Sequence, residues 1–145
     1  MRNAPFLLAA LLSLAGCGKP TALAVDGGWV RLPAVPGRPG AAYFALHGGA
    51  ADATLIAVAT PEARHAELHE SMAGGMKGLP AVSVAAGASV TFAPGGRHVM
   101  LFDLDPKLAP GGTVKLTLSF ADGRRLTTDA AIVGAADPAP RQAGL

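Results

Sequence analysis

Hydrophobic and polar residues alternate along most of the chain in short runs, which is typical of β-strands rather than helices. In two of these runs, 89–92 and 113–120, apolar side chains fall at every second position, as in a strand with one buried face. The pattern predicts nine strands, at Gly28–Leu32, Ala41–His47, Ala53–Ala59, His65–His69, Val82–Ala85, Ser89–Phe92, His98–Leu104, Thr113–Phe120 and Arg124–Ile132.

Turn-forming residues separate these runs at close intervals. Asp122 and Gly123 stand between the last two runs, and an Asp-Gly pair in that position is a strong signal for a β-hairpin. Glycine and proline clusters at 33–37, 74–75, 94–96 and 110–112 leave little room for helices of ordinary length. The sequence therefore predicts an all-β sandwich or barrel of about eight or nine short strands.

The first seventeen residues have the pattern of a bacterial lipoprotein signal. One basic residue, Arg2, precedes an apolar stretch that ends in Leu-Ala-Gly and then Cys17. This stretch is too short to span a bilayer as a helix. We expect a signal peptide at 1–16, lipidation of Cys17 and a tether at 17–24, with several acyl chains giving a stable anchor. A plain secretory signal with an incidental cysteine is the alternative.

Composition restricts the remaining possibilities. The sequence has 12 basic and 10 acidic residues with no basic run, so nothing indicates a nucleic-acid surface. Cys17 is the only cysteine, which excludes a disulfide within the chain. We expect one folded domain at 25–133 and a disordered Ala, Pro and Gly-rich tail at 134–145. The expected location is the periplasm, and Gly18 favours the outer membrane if the source is Gram-negative.

Two histidines and two methionines suggest a metal site. His69, Met76, His98 and Met100 follow the pattern H-x6-M-x21-H-x-M. His98 and Met100 are two residues apart on one predicted strand, so their side chains share a face. Thioether sulfur is a poor ligand for hard metals and a good one for Cu(I). The set therefore favours a Cu(I) site.

Other interpretations of these residues stay open. Met100 lies in an apolar run where core packing would explain it, and Met72 could replace Met76 as a ligand. His65, Glu67 and His69 share strand parity and could form a hard-ligand site for Zn(II) or Cu(II).

Several classes of protein are disfavoured. A blue copper protein needs a cysteine ligand and a thiol-disulfide reductase needs a cysteine pair, whereas the only cysteine is at the lipidation position. Ser71 lies near His69 and Glu70, but no strand-turn-helix elbow surrounds it, so a hydrolase is not expected. We expect no enzymatic activity.

The chain resembles the PCuAC-type periplasmic copper chaperones, small cupredoxin-like β proteins with the metal motif H-x10-M-x21-H-x-M. The spacing from Met76 to His98 and Met100 matches the second part of that motif. The resemblance also rests on Trp29-Val30-Arg31, Ala41-Ala42-Tyr43-Phe44, Ala66-Glu67-Leu68-His69-Glu70, Pro94-Gly95-Gly96-Arg97-His98-Val99-Met100-Leu101 and 108–120. It covers about residues 25–132 and implies a cupredoxin-like Greek-key sandwich or barrel.

The chain departs from the family pattern in the first spacing. Six residues rather than ten separate His69 from Met76, so Met72 is the substitute ligand to consider. His47 stands where the family often has Asn, which we interpret as a surface difference.

The resemblance implies a function as well as a fold. It implies Cu(I) delivery to a copper-accepting membrane enzyme, with a cytochrome c oxidase subunit as the usual client, and a second copper-delivery protein as a further partner. A lipoprotein that buffers or sequesters periplasmic copper would use the same ligands. A metal-free β-sandwich interaction module is the remaining alternative.

Overall fold

The computed structural model describes residues 22–141, and within them the chain forms strands and turns with no α-helix. The ten strands are β1 Ala24–Arg31, β2 Gly40–His47, β3 Ala53–Ala59, β4 His65–Met72, β5 Gly75–Gly78, β6 Val82–Val84, β7 Ser89–Phe92, β8 Arg97–Phe102, β9 Thr113–Phe120 and β10 Arg125–Val133. The prediction of an all-β fold is confirmed.

All ten strands belong to one curled sheet in the order β5-β4-β8-β7-β2-β1-β10-β9-β3-β6, with an additional pairing of β8 with β2. Most neighbours are antiparallel, whereas β1 pairs with β10, and β7 with β8, in parallel. The sheet curls because strands twist, so that its concave side encloses the apolar residues as a half-barrel.

The alternation seen in the sequence produces the core. In β9, Val114, Leu116, Leu118 and Phe120 are buried, and the residues between them are exposed or half-buried. The same alternation in the other strands supplies the remaining buried apolar side chains, among them Val30, Phe44, Leu46, Leu55, Phe92, Val99, Leu101 and Ile132. The residues that alternate with these buried side chains lie on the convex side of the sheet, where they can form a binding site.

The predicted hairpin at Asp122-Gly123 is present between β9 and β10. Gly123 has a φ of 88°, and its N–H donates to the Phe120 carbonyl at 3.0 Å. The Phe120 N–H donates in turn to the Arg124 carbonyl at 2.9 Å. This turn sets the register in which Arg125 pairs with Ser119.

Strand β1 begins four residues before the predicted start at Gly28. Its pairing with β2 shifts register between Asp26 and Trp29, where two consecutive glycines interrupt the apolar alternation. A Cβ on Gly28 would lie 2.8 Å from the Asp129 carbonyl oxygen, so the close approach of β10 requires glycine here. Gly28, one of the two glycines that interrupt the apolar pattern of this strand, is thus required by the packing of β1 against β10.

The segment after His69, which lies outside the nine predicted strands, forms a hairpin. Strand β4 continues to Met72, and after a turn at Ala73 and Gly74 the chain returns as β5. Gly74 has a φ of 90°, a left-handed conformation that glycine adopts without strain. The returning strand of this hairpin, β5, is additional to the nine predicted strands and brings the number to ten.

The chain on either side of the sheet is only partly described. The predicted signal peptide, Cys17 and most of the tether lie outside the described residues. The segment predicted as a disordered tail begins with a turn, in which the Gly134 N–H donates to Asp137 Oδ2 at 2.6 Å and Arg31 Nη2 donates to the Asp137 carbonyl at 3.2 Å. Residues 22–141 contain no helix with the length and apolar character needed to cross a bilayer.

Candidate metal centre

His69 and His98 face each other across the antiparallel pair of β4 and β8. They are direct partners in the ladder, so their side chains project from the same, convex face of the sheet. Their ring centroids lie 5.9 Å apart at an interplanar angle of 33°. His98 is 6% exposed, which is unusual for a histidine on the outer face of a sheet.

The ring separation suits a shared ion. A metal bonded to an imidazole nitrogen at about 2 Å lies about 3 Å from that ring's centroid, so two rings that share one ion have centroids about 5–6 Å apart. The observed 5.9 Å falls within this interval.

Met100 and Met76 lie on the same face as the two histidines. Met100 is two residues beyond His98 on β8. Met76 is the ladder partner of Ser71, which is two residues beyond His69 on β4. Because residues two apart on a strand share a face, the register brings all four side chains to one side of the sheet.

The four side chains line two different cavities. Met76, His98 and Met100 line a cavity of about 250 Å³ together with Tyr43. His69 instead borders a second cavity of about 300 Å³, which Glu67 also lines. His69 and His98, although direct partners in the ladder, therefore line different cavities.

Met72 is separated from this group. It pairs with Gly75 and directly follows Ser71, so its side chain projects from the opposite face of the hairpin to that of Met76. Both methionines are 57% exposed. The hairpin thus places Met72 and Met76 on opposite faces, a difference that their spacing in the sequence does not reveal.

Hydrogen bonds occupy one nitrogen of each histidine. His98 Nδ1 lies 3.0 Å from the Gly96 carbonyl oxygen and donates to it, which leaves Nε2 with the lone pair in the neutral ring. His69 Nε2 lies 3.0 Å from Glu67 Oε2, whereas His69 Nδ1 is buried without a hydrogen-bond partner in the described structure. A buried polar atom without a partner is destabilising, and an imidazole nitrogen in that state fits a metal.

The hard-ligand alternative finds no support. Within residues 22–141, no group of three or more His, Cys, Asp or Glu side chains is arranged to hold a metal. His65 stacks on Phe102, with ring centroids 4.4 Å apart and planes 2° from parallel. Its Nε2 is 3.8 Å from Glu67 Oε1. His65, Glu67 and His69 form a row of side-chain contacts rather than a cage.

His47 lies away from this centre. Its Nδ1 is 3.0 Å from Ser89 Oγ, and its Nε2 is 3.1 Å from Asp26 Oδ2. These contacts join β1, β2 and β7 at the surface, in agreement with the interpretation of His47 as a surface residue.

Tyr43 was not expected to take part in the centre. Its ring packs on Trp29 with centroids 4.3 Å apart, and its side chain is 7% exposed. Burial raises the pKa of the phenol, and the positive charge of Arg31 opposes that shift. No signal in the sequence places Tyr43 in the cavity with His98 and Met100. The pairing of β2 with β8, which brings these strands together, joins residues far apart in the chain.

The chain is similar to a known family and to solved structures. The family model described as "Putative lipoprotein LpqE-like" matches residues 23–132. The solution structure of Cu(I)-bound DR1885 from Deinococcus radiodurans is 35% identical, with 81% of this chain and 82% of that chain covered and a TM-score of 0.61. No curated protein sequence gives a significant match.

Two domains from other proteins have the same architecture. The copper-bound PCuAC domain from PmoF2 is 27% identical, with 78% of this chain and 96% of that chain covered and a TM-score of 0.64. The apo PCuAC domain from PmoF1 is 28% identical, with 77% of this chain and 93% of that chain covered and a TM-score of 0.65. The similarity spans nearly the whole of those domains.

Proposed function

This chain belongs to the LpqE-like family and is of the PCuAC type, and from that premise we propose that it is a copper chaperone that carries Cu(I) as cargo. The proposed ligands are His69, His98, Met76 and Met100. The observation that carries this proposal is the direct pairing of His69 with His98, in which a buried histidine nitrogen lacks a partner.

The donor set suits transfer rather than permanent storage. Two neutral imidazoles and two thioethers leave a Cu(I) complex with its positive charge, and no thiolate is available to hold the ion tightly. Thioethers do not take up protons at relevant pH, so only the histidines compete with protons. Met76 is 57% exposed, so an acceptor could replace this ligand first.

An anaerobic titration tests copper binding. Residues 18–145 include every strand of the sheet, and Cu(I) would be titrated into this chain against a colorimetric competitor. We expect one Cu(I) per monomer, with mixed nitrogen and sulfur ligation in the X-ray absorption spectrum. An absence of binding would favour the metal-free interaction module, and a shell of nitrogen and oxygen alone would contradict the soft-ligand site.

The partner is proposed from the family resemblance. We propose that the chaperone delivers Cu(I) to a membrane copper enzyme, with the copper centre of a cytochrome c oxidase subunit as the first candidate. Copper-loaded protein mixed with the apo subunit should lose its copper to that subunit. If the copper stays on this chain while Cu(I) binding is tight, the buffering function is favoured instead.

We also propose that a lipid on Cys17 anchors the protein on the periplasmic side of a membrane. The LpqE-like family is described as a lipoprotein family, which supports the anchor. Intact-mass measurement of the mature protein should show added acyl mass, and Cys17→Ser should abolish it. Recovery of wild-type protein without acyl mass would contradict the anchor and leave the copper site unaffected.

A further inference from the structure

Glu67 makes the contact that decides which nitrogen of His69 is free. Its Oε2 lies 3.0 Å from His69 Nε2. An ionised carboxylate can only accept hydrogen bonds, so Nε2 is the protonated nitrogen in this contact. In the neutral ring the lone pair is then on Nδ1, which is the buried atom without a partner.

His98 is held in the opposite way. The Gly96 carbonyl can only accept, so it takes the hydrogen bond from His98 Nδ1 at 3.0 Å and leaves Nε2 free. Two histidines that are direct partners across β4 and β8 are therefore fixed in opposite tautomers. A backbone oxygen holds one ring and a carboxylate holds the other.

We propose that Glu67 is a positioning residue for copper, and that Cu(I) binds His69 through Nδ1 and His98 through Nε2. This inference rests on the proposed function and adds the ligand atoms and the residue that selects one of them. A carboxylate that accepts the second N–H of a metal-bound histidine fixes the ring orientation and makes the ligand nitrogen more basic.

The remaining contacts of Glu67 agree with this assignment. Glu67 is the ladder partner of Met100, so its carboxylate lies at the rim of the face that carries the four proposed ligands. Its other oxygen, Oε1, is 3.8 Å from His65 Nε2. The carboxylate is thus held beside His69. Because about half of the Glu67 side chain is exposed to solvent, its effect on copper affinity is limited.

The ligand atoms can be observed directly, because Cu(I) is diamagnetic. In the 15N NMR spectrum of residues 18–145, apo His69 should show a protonated Nε2 and apo His98 a protonated Nδ1. On addition of Cu(I), the larger shift within each ring should be at the ligating nitrogen, Nδ1 of His69 and Nε2 of His98, and the other nitrogen of each ring should keep its proton. Loss of the proton from Nε2 of His69 on copper binding would overturn the inference, since that nitrogen would have to leave Glu67.

Matched variants separate the hydrogen bond from the charge. Glu67→Ala should weaken Cu(I) binding about tenfold, the lower end of the usual effect for such a contact, because the side chain is half exposed. Glu67→Gln keeps an oxygen that can accept from His69 and should stay within about threefold of wild type. Glu70→Ala removes the same charge from the opposite face of β4, where Glu70 pairs with Arg97 at 3.6 Å, and should also stay within about threefold.

The outcomes distinguish this inference from the proposed function. If wild-type protein binds no Cu(I), the proposed function fails. If wild type binds Cu(I) but Glu67→Ala weakens binding no more than Glu70→Ala does, only the positioning role of Glu67 fails. Unfolding curves of the three variants should coincide with that of wild type, and a loss of affinity accompanied by loss of folding in Glu67→Ala would count against positioning.

Discussion

At the scale of single residues, the face of the sheet on which a methionine or histidine lies decides whether it can join the proposed copper site. Met72 and Met76 are equally exposed and four residues apart, yet the hairpin points them in opposite directions. Sequence spacing alone kept both as candidate ligands. The register with Ser71 favours Met76.

Replacement of each methionine by leucine tests this distinction. Met76→Leu removes the sulfur while nearly conserving volume, and we expect Cu(I) affinity to fall at least about tenfold, which corresponds to about 1.4 kcal/mol. Met72→Leu is the matched control and should cost clearly less. Competitive Cu(I) titration measures both, and the reverse order would make Met72 the ligand.

Tyr43 gives a prediction for alkaline pH. Burial raises its pKa in the folded protein above the ordinary value near 10, so the neutral phenol stabilises the fold. This contribution is complete below pH 10 and is lost as the pH rises through the raised pKa. The chain has a single tyrosine, so its phenolate absorbance in the ultraviolet can be assigned without ambiguity.

The control for that prediction is Tyr43→Phe. The difference in unfolding free energy between wild type and Tyr43→Phe should be constant below pH 10 and should shift against wild type above it. A phenolate titration at or below the ordinary pKa in the folded protein would contradict the effect of burial.

At the scale of elements, the β4–β5 hairpin positions one proposed ligand and depends on one turn. Gly74 has a φ of 90°, and no heavy atom lies within 4 Å of the position a Cβ would take. Steric clash therefore does not limit substitution there, but a left-handed backbone costs an ordinary residue about 1–2 kcal/mol. That strain would fall on the hairpin that carries Met76.

We expect Gly74→Ala to distort the hairpin and to weaken Cu(I) binding severalfold. Gly37→Ala is the control, because Gly37 has a φ of 80° and equally open surroundings but lies in the turn between β1 and β2. Both variants should lose similar amounts of stability in urea unfolding, whereas only Gly74→Ala should lose copper affinity. Equal affinities would show that the turn does not orient Met76.

The same elements show what the sequence could and could not predict. The alternation of β9 and the Asp-Gly turn after it are local signals, so both were predictable. Strand β5 was missed because its sequence, Gly-Met-Lys-Gly, has no β-branched or aromatic residue and forms a strand only by pairing with β4. The pairing of His69 with His98 is also non-local, so the sequence could suggest both ligands but not their contact or Glu67's part in it.

At the scale of the whole molecule, one apolar core inside the curled sheet has to support the site on the convex face. Val99 and Leu101 are fully buried in that core, while His98 and Met100 alternate with them on the same strand. The core and the proposed ligands are therefore opposite faces of β8. Packing on one side holds the geometry on the other.

Core truncation should lower stability as a whole. Leu116 is fully buried, and Leu116→Ala should cost about 2–5 kcal/mol of unfolding free energy because it leaves a cavity. Val35→Ala is the control, since Val35 is 59% exposed in a loop, and it should change stability by less than about 0.5 kcal/mol. Urea unfolding measures both, and similar midpoints would contradict the assignment of Leu116 to the core.

The parallel pairing of β1 with β10 determines where a fused tag or dye would lie. Arg31 pairs with both Val133 and Ala41, and Ala41 pairs in turn with Met100. The end of β10 is thus about 15 Å across the sheet from the proposed ligands, or three strand spacings, whereas Ala24 is farther, since it lies about 23 Å along β1 from Arg31. A bulky tag after β10 would crowd the approach of an acceptor protein, and a small dye there would serve as a reporter of docking.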